Sequence, residues 1–214
     1  MYGKDIKPIK RKNDTYHLSY HSKFFVDFFN KLGVKSTSSS SKEVPSSVFT
    51  ATKEAVTGFL QGLFTADGTV SNDKNKGNYY VRLSSKSLKL LKQVQQLLIN
   101  LGIKSRIYNR SRKASDNKFT YTNINGEKTN YKSDGILYEL QISSGSLYTF
   151  AEKIGFLLER KEKELTDIIN NHNLHQQKMF DEIKNIEYAG KETVYDLTEP
   201  VTHSFIGNGF VIHN

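Results

Sequence analysis

Three times this chain runs from a strand-like stretch into an amphipathic helix and stops on an apolar-Gly-apolar triplet. The triplets are Leu32-Gly33-Val34, Leu101-Gly102-Ile103 and Ile154-Gly155-Phe156. A glycine just past the last periodic residue is a helix stop, because it accepts the left-handed conformation that ends the last turn. Phe24, Phe25, Phe28, Phe29 and Leu32 mark the first helix; Leu91, Val94, Leu98 and Leu101 mark the second; "SLYTFAEKIGFLL" holds the third. The copies are too uneven for a solenoid. They predict a duplicated α/β unit whose first copy is cut short by the start of the chain.

Between the first and second copies lies "STSSSSKEVPSS", closed by Pro45. Such a stretch reads as a linker between two packed units. The strands "YYVRLSS", "KSRIYNRSRK" and "GILYELQIS" follow, the last two separated by a long polar loop. A charged helix, "ERKEKELTDIINNHNLHQQ", then leaves the unit, and the remainder reads as short strands and turns. The expected organisation is the end of a first repeat over 1–42, a second repeat over 43–178, and a separate C-terminal segment over 179–214.

Lys and Arg total 31 against 22 Asp and Glu, a formal charge of +9. That excess suits a polyanion such as nucleic acid, and equally an ordinary basic surface. There is no cysteine, which excludes disulfides and thiolate metal sites. His172 and His175 sit in a polar stretch without acidic partners, so no metal site is expected there. No apolar run approaches the roughly 20 residues of a membrane span, and no signal-peptide pattern opens the chain. A soluble, cytoplasmic protein is expected.

In "GFLQGLFTADGTV", Gly58 and Gly62 share one helix face, where small residues let a second helix approach closely. A tightly packed core helix is the simpler reading. The last turn is less ordinary, because Asp67 stands at the negative end of the helix dipole. A cation beside it relieves the misfit, and two such helices side by side bring two carboxylates together as oxygen ligands suited to Mg²⁺. This stretch resembles the LAGLIDADG motif of homing endonucleases, in the form found in a second repeat. "VPSSVFTATKEAV" before it and "YYVRLSSKSLKLLKQVQQLLINLGI" after it are similar to the same family, over about residues 15–165.

The resemblance implies an α+β LAGLIDADG fold, with strands forming a saddle over double-stranded DNA and metal-dependent, site-specific cutting of both strands. Asp67 is then the metal-binding and catalytic carboxylate. Thr65 stands where the family has another aspartate, at a commonly variable position. The strand chemistry agrees: Arg106, Tyr108, Arg110 and Arg112 alternate onto one face, where they can reach phosphates and base edges. Arg82, Glu139 and Gln141 are candidates on neighbouring strands. Each alone reads equally as part of a solvated sheet. The basic residue that the family places near the metal is left unassigned, Lys86 and Lys104 included.

"VYDLTEPVTHSFIGNGFVIHN" resembles the C-terminal splicing motifs of inteins, over nearly every residue from Val194 to Asn214. The resemblance implies that the Asn214 side-chain amide attacks its own backbone carbonyl, forms a succinimide and releases the downstream segment. No cofactor is needed. His213 assists the cyclisation, while His203 and Asp196 polarise groups and move protons. Phe205, Ile206, Phe210, Val211 and Ile212 are expected to lie in a core that aims the terminal strand of this Hint-type domain. Position 1 is Met, and neither a Thr-x-x-His segment nor a first LAGLIDADG helix is present. The expected partners are therefore an N-terminal intein half, DNA and the flanking host segments (exteins). A split intein explains Met1, and a truncated gene explains it as well. Two other readings stay open: a homodimeric endonuclease with a relic tail, and a non-catalytic DNA-binding remnant.

Overall fold

The computed structural model describes residues 8–10, 16–18, 22–75, 77–122, 126–175, 182–195, 197–207 and 210–213. Strands β1 (Ile9–Lys10) and β2 (Tyr16–His17) pair antiparallel ahead of helix α1 (Lys23–Lys31). Ser22 caps α1 by accepting from the Phe25 N–H at 3.3 Å, and Gly33 closes it at φ +87°. Phe24, Phe25, Phe28 and Phe29 nonetheless remain 40–75% exposed, with Phe29 meeting Phe25 and Phe28 edge to face. The expected helix forms, but its aromatic face keeps much of its surface open to solvent.

Helix α2 (Lys53–Asp67) starts at Thr52, whose hydroxyl accepts from the Ala55 N–H, and buries Leu60 and Phe64 completely. Strands β3 (Gly68–Asp73) and β4 (Asn78–Ser85) form the hairpin that follows. Helix α3 (Leu88–Asn100), capped by Ser87, buries Leu90, Leu91, Val94, Leu97 and Leu98. After it come β5 (Arg106–Asn109), the hairpin of β6 (Ser115–Thr122) and β7 (Lys128–Ser133), β8 (Tyr138–Ser143), α4 (Ser146–Lys153) and α5 (Glu159–Asn171). The β6–β7 hairpin replaces the expected polar loop. Apart from Phe119, Tyr121 and Tyr131 its sequence is polar, without the sustained alternation that announces a half-buried strand.

The central sheet is antiparallel in the order β3-β4-β8-β5. Val70, Val81, Leu83, Leu140 and Ile142 point to one face and are buried against the helices. The alternate residues make the other face polar, the usual division in an antiparallel sheet covered on one side. Phe64 and Phe150 meet edge to face at 5.1 Å between ring centres in the core. Phe64→Ala is expected to cost about 3–5 kcal/mol by removing that packing, measured by urea unfolding.

The Ser-rich segment is not the spacer that its composition suggests; it is strapped across α3. Val44 is buried at 2% exposure, and its N–H donates to Gln93 Oε1 at 2.8 Å. The Ser87 hydroxyl donates to the Lys42 carbonyl at 2.6 Å, and the Ser47 hydroxyl to the Leu32 carbonyl at 2.6 Å. Glu43 takes Lys35 at 2.6 Å and Lys89 on its other oxygen. The Lys35 and Lys89 hydrogen bonds lower the Glu43 pKa from 4.5 to about 2. A depressed carboxyl contributes stability that is full above its unfolded pKa and lost as pH falls through its folded one. The contribution of the strap is therefore expected to fade between pH 4.5 and about 2. Glu43→Gln is expected to flatten that limb of the stability–pH curve.

Beyond α5 the described chain forms no strand over 182–203; the only strands are β9 (Ser204–Gly207) and β10 (Phe210–His213), paired antiparallel. The expected core around this hairpin is absent from the described residues. Phe210, Val211 and Ile212 are 67%, 76% and 42% exposed. Two strands alone have no second layer to bury an apolar face against. The boundary expected near 178 falls outside the described residues. No described helix is long and apolar enough to cross a membrane.

Candidate nucleic-acid interface

The last turn of α2 presents the Asp67 carboxylate to solvent, without a hydrogen bond or ion pair to any described residue. The backbone behind it is tied down. The Lys161 ammonium is buried and donates to the Thr65 carbonyl at 2.7 Å and to the Gly68 carbonyl at 2.6 Å. It is thus the cation that the negative helix end calls for, and the charge misfit by itself no longer requires a metal. Burial pushes the Lys161 pKa down, helped by Arg160 and opposed by Asp67 and Glu164. Thr65 uses its hydroxyl to accept from the Leu157 N–H at 2.9 Å, and Gln61 donates to the Ile154 carbonyl at 2.7 Å. Sequence reading missed Lys161 among the many charges of α5. Its one signal is spacing, since it lies four residues before Leu165 and seven before Ile168 on the buried stripe. Lys161→Met leaves two carbonyls unpaired and is expected to cost about 1–3 kcal/mol, read by urea unfolding.

Asp67 borders an open cleft of about 480 Å³ whose wall includes Phe59, Leu63, Lys35, Lys42 and Lys86. Lys86 ion-pairs with Asp134 at 2.9 Å and holds that carboxyl below its ordinary range. Lys104, the other basic residue left open by the sequence, lies instead beside β5, in a cleft shared with Lys92 and Arg106.

On the polar face of the sheet, register brings the predicted residues into rows. Arg82 stands opposite Gln141, which stands opposite Arg106; Ser84, Glu139 and Tyr108 form the next row. The Glu139 carboxylate, 8% exposed, accepts from Arg82 Nη1 at 3.2 Å, from Arg110 Nε at 3.1 Å and from Gln141 Nε2 at 3.3 Å. The Arg110 guanidinium lies 4.9 Å from the Tyr108 ring centre. The regular strand β5 ends at Asn109, short of the expected length. The ladder nonetheless continues, as the N–H groups of Arg110 and Arg112 donate to the Leu137 and Gly135 carbonyls at 2.8 Å.

Residues 54–155 match the LAGLIDADG-like domain family. This segment is a LAGLIDADG-like domain. It contains Asp67 and the polar sheet face, one side of the first cleft and the whole lining of the second. The whole chain is 32% identical over 95% of its length to a DNA polymerase of Thermococcus hydrothermalis, and 32% identical over all of its length to one of Thermococcus sp. (strain GE8). It is also 29% identical over 92% of its length to the ribonucleoside-diphosphate reductase NrdEB subunit alpha of Bacillus subtilis (strain 168). The chain spans 11% of each polymerase and 18% of the reductase.

Within the LAGLIDADG-like domain, Gly58 and Gly62 face open space: a Cβ on either would meet nothing within 4 Å. The packed partner that this spacing invites is not among the described elements. Outside the domain, the β9–β10 register sets His213 opposite Ser204, the residue after His203. Both histidines therefore lie at one end of the hairpin. His203 adopts φ +51°, rare for a residue with a side chain. Glu199 leads into it by accepting from the Val201 and Thr202 N–H groups and the Thr202 hydroxyl, which lowers its pKa. Asp196 and Asn214 lie outside the described residues.

Proposed function

We propose that this chain is the C-terminal part of an endonuclease-bearing intein. It would cleave itself from a downstream segment by cyclisation of Asn214 once an N-terminal splicing half has docked. The observation that carries this reading is one segment recurring in hosts of unrelated chemistry. A DNA polymerase and a ribonucleotide reductase share no fold requirement that would explain a common stretch matching over nine-tenths of this chain. An inserted element that removes itself does explain it. The splicing-motif resemblance over 194–214, and two histidines at one end of the β9–β10 hairpin, fit the same account.

In the cyclisation, the Asn214 amide nitrogen bonds to its own backbone carbonyl carbon. The peptide bond to the next residue breaks, and the departing amine takes up a proton. An amide is a poor nucleophile and an amine a poor leaving group, so orientation and proton transfer carry the step. His213 and His203 supply the proton transfer, with Asp196 upstream. A reporter protein joined after Asn214 tests this directly. Release of the reporter on co-production with an N-terminal splicing half, read by mass, supports the reading; an intact fusion in the docked pair overturns it.

The endonuclease half of the proposal is site-specific, double-strand cutting of DNA held on the polar sheet face. The described residues contain no cluster of three metal-ligating side chains, and Asp67 offers a single exposed carboxylate. That donor set fits a shared Mg²⁺ site, because Mg²⁺ commonly takes one or two carboxylates and completes its shell with water and phosphate oxygens. When bound, Mg²⁺ stabilises the attacking and leaving oxygens of a phosphodiester. The contribution of this chain is to hold Asp67 at a helix end fixed by Lys161, beside a lysine-lined cleft. A partner helix on the Gly58/Gly62 face would bring the second carboxylate.

The open glycine face also favours a second reading, a homodimer through α2 with the splicing segment a relic. Metal-dependent cutting by a purified dimer of this chain alone, lost on Gly62→Leu together with the dimer, would favour it.

A further inference from the structure

We propose that Glu139 is a positioning residue for DNA recognition: it holds Arg82 and Arg110 at fixed places on the sheet, so that they read base edges instead of following phosphates. The inference rests on the DNA-binding reading of this face and adds to it a determinant of specificity. Glu139 is the buried member of the group, and both of its oxygens are engaged, one by Arg82 and the other by Arg110 and Gln141. Each guanidinium spends a single nitrogen on the carboxylate, Nη1 in Arg82 and Nε in Arg110. A guanidinium carries five N–H donors in a rigid fork, so the remainder stay available. The Arg82 and Arg110 side chains are 37% and 49% exposed, and Tyr108 supports the second from beneath.

The energetics argue that this carboxylate is not there for adhesion or simple stability. A negative charge among cations that meet a polyanion weakens attraction. Part-exposed ion pairs, for their part, contribute little to folding. What the cluster does supply is geometry. Strands β4 and β8 hold Arg82, Glu139 and Gln141 at fixed register, and Arg110 follows directly on β5 with its N–H tied to the Leu137 carbonyl. Bidentate recognition of a base edge by arginine depends on a fork held in place.

The test selects duplexes from a randomised DNA library with the full chain and with Glu139→Gln, and titrates both with the enriched and a random duplex across salt. Wild type is expected to enrich a defined sequence. E139Q is expected to lose about tenfold or more of the discrimination between the two duplexes, the scale of one good bidentate contact. It should also bind the random duplex more tightly, with a salt slope steeper by about one. Glu139→Asp keeps the charge but shortens the reach, so its discrimination should fall while its salt slope stays at the wild-type value. Circular dichroism confirms folding of both variants. Either folded variant selecting the wild-type sequence with undiminished discrimination overturns the inference and leaves the DNA-binding reading standing. Failure of the wild-type chain to enrich any duplex overturns both.

Discussion

Asn214→Ala is expected to stop release of a downstream reporter altogether, while docking of the N-terminal half proceeds as before. The substitution removes the nucleophile itself, so no rearrangement of neighbouring groups can substitute for it. The rate should fall by on the order of 10⁶-fold, the scale for loss of a covalent nucleophile. His213→Ala should be milder, about 10²- to 10⁴-fold, as expected for loss of a general acid–base group. Combining the two should cost no more than Asn214→Ala alone, because both act in one step. Mass measurement of the released reporter follows all three variants, and pull-down of the N-terminal half reports docking. Unchanged release in Asn214→Ala would remove the splicing proposal.

The second large effect concerns Asp67. Asp67→Asn in the assembled nuclease is expected to abolish Mg²⁺-dependent cutting of a duplex while leaving DNA affinity within about twofold, since Arg82 and Arg110 bond Glu139 and not this carboxylate. Metal stabilisation of a phosphodiester transition state is worth several kcal/mol, on the order of 10³-fold in rate. Thermal unfolding separates this from damage to the fold. Lys161 bonds the backbone of Thr65 and Gly68, not the Asp67 side chain, so the helix end should keep its stability. Cutting at the wild-type rate by Asp67→Asn would dismiss this carboxylate as a metal ligand.

How legible these features were depended on how local their causes are. Helix α3 was readable because Leu91, Val94 and Leu98 repeat at helical spacing and Gly102 supplies the left-handed stop at φ +76°. Strand β4 was readable because Val81 and Leu83 alternate with Arg82 and Ser84. Strand β3 gives little signal because, of its buried positions, only Val70 carries an apolar side chain. The strap over α3 read as a spacer because its anchors, Gln93, Ser87 and Lys89, lie more than forty residues away in sequence. Composition of the segment alone contains no trace of them. Within the candidate interface, strand alternation was enough to find Arg82, Arg106 and Tyr108. That Glu139 sits at their centre follows only from the pairing of β8 between β4 and β5. Lys161 was hidden for the opposite reason, one ammonium among several on a helix whose role is set by the carbonyls it meets.

The part-exposed phenylalanines of α1 and the exposed β9–β10 hairpin have a calorimetric consequence. Whatever docks on them must dehydrate aromatic and branched side chains now open to solvent, and removal of apolar surface from water lowers heat capacity. Titration of this chain with its complement should therefore give an enthalpy that grows more negative with temperature, steeply enough to resemble a folding reaction. Cooling should weaken the union, since hydrophobic attraction fades in the cold.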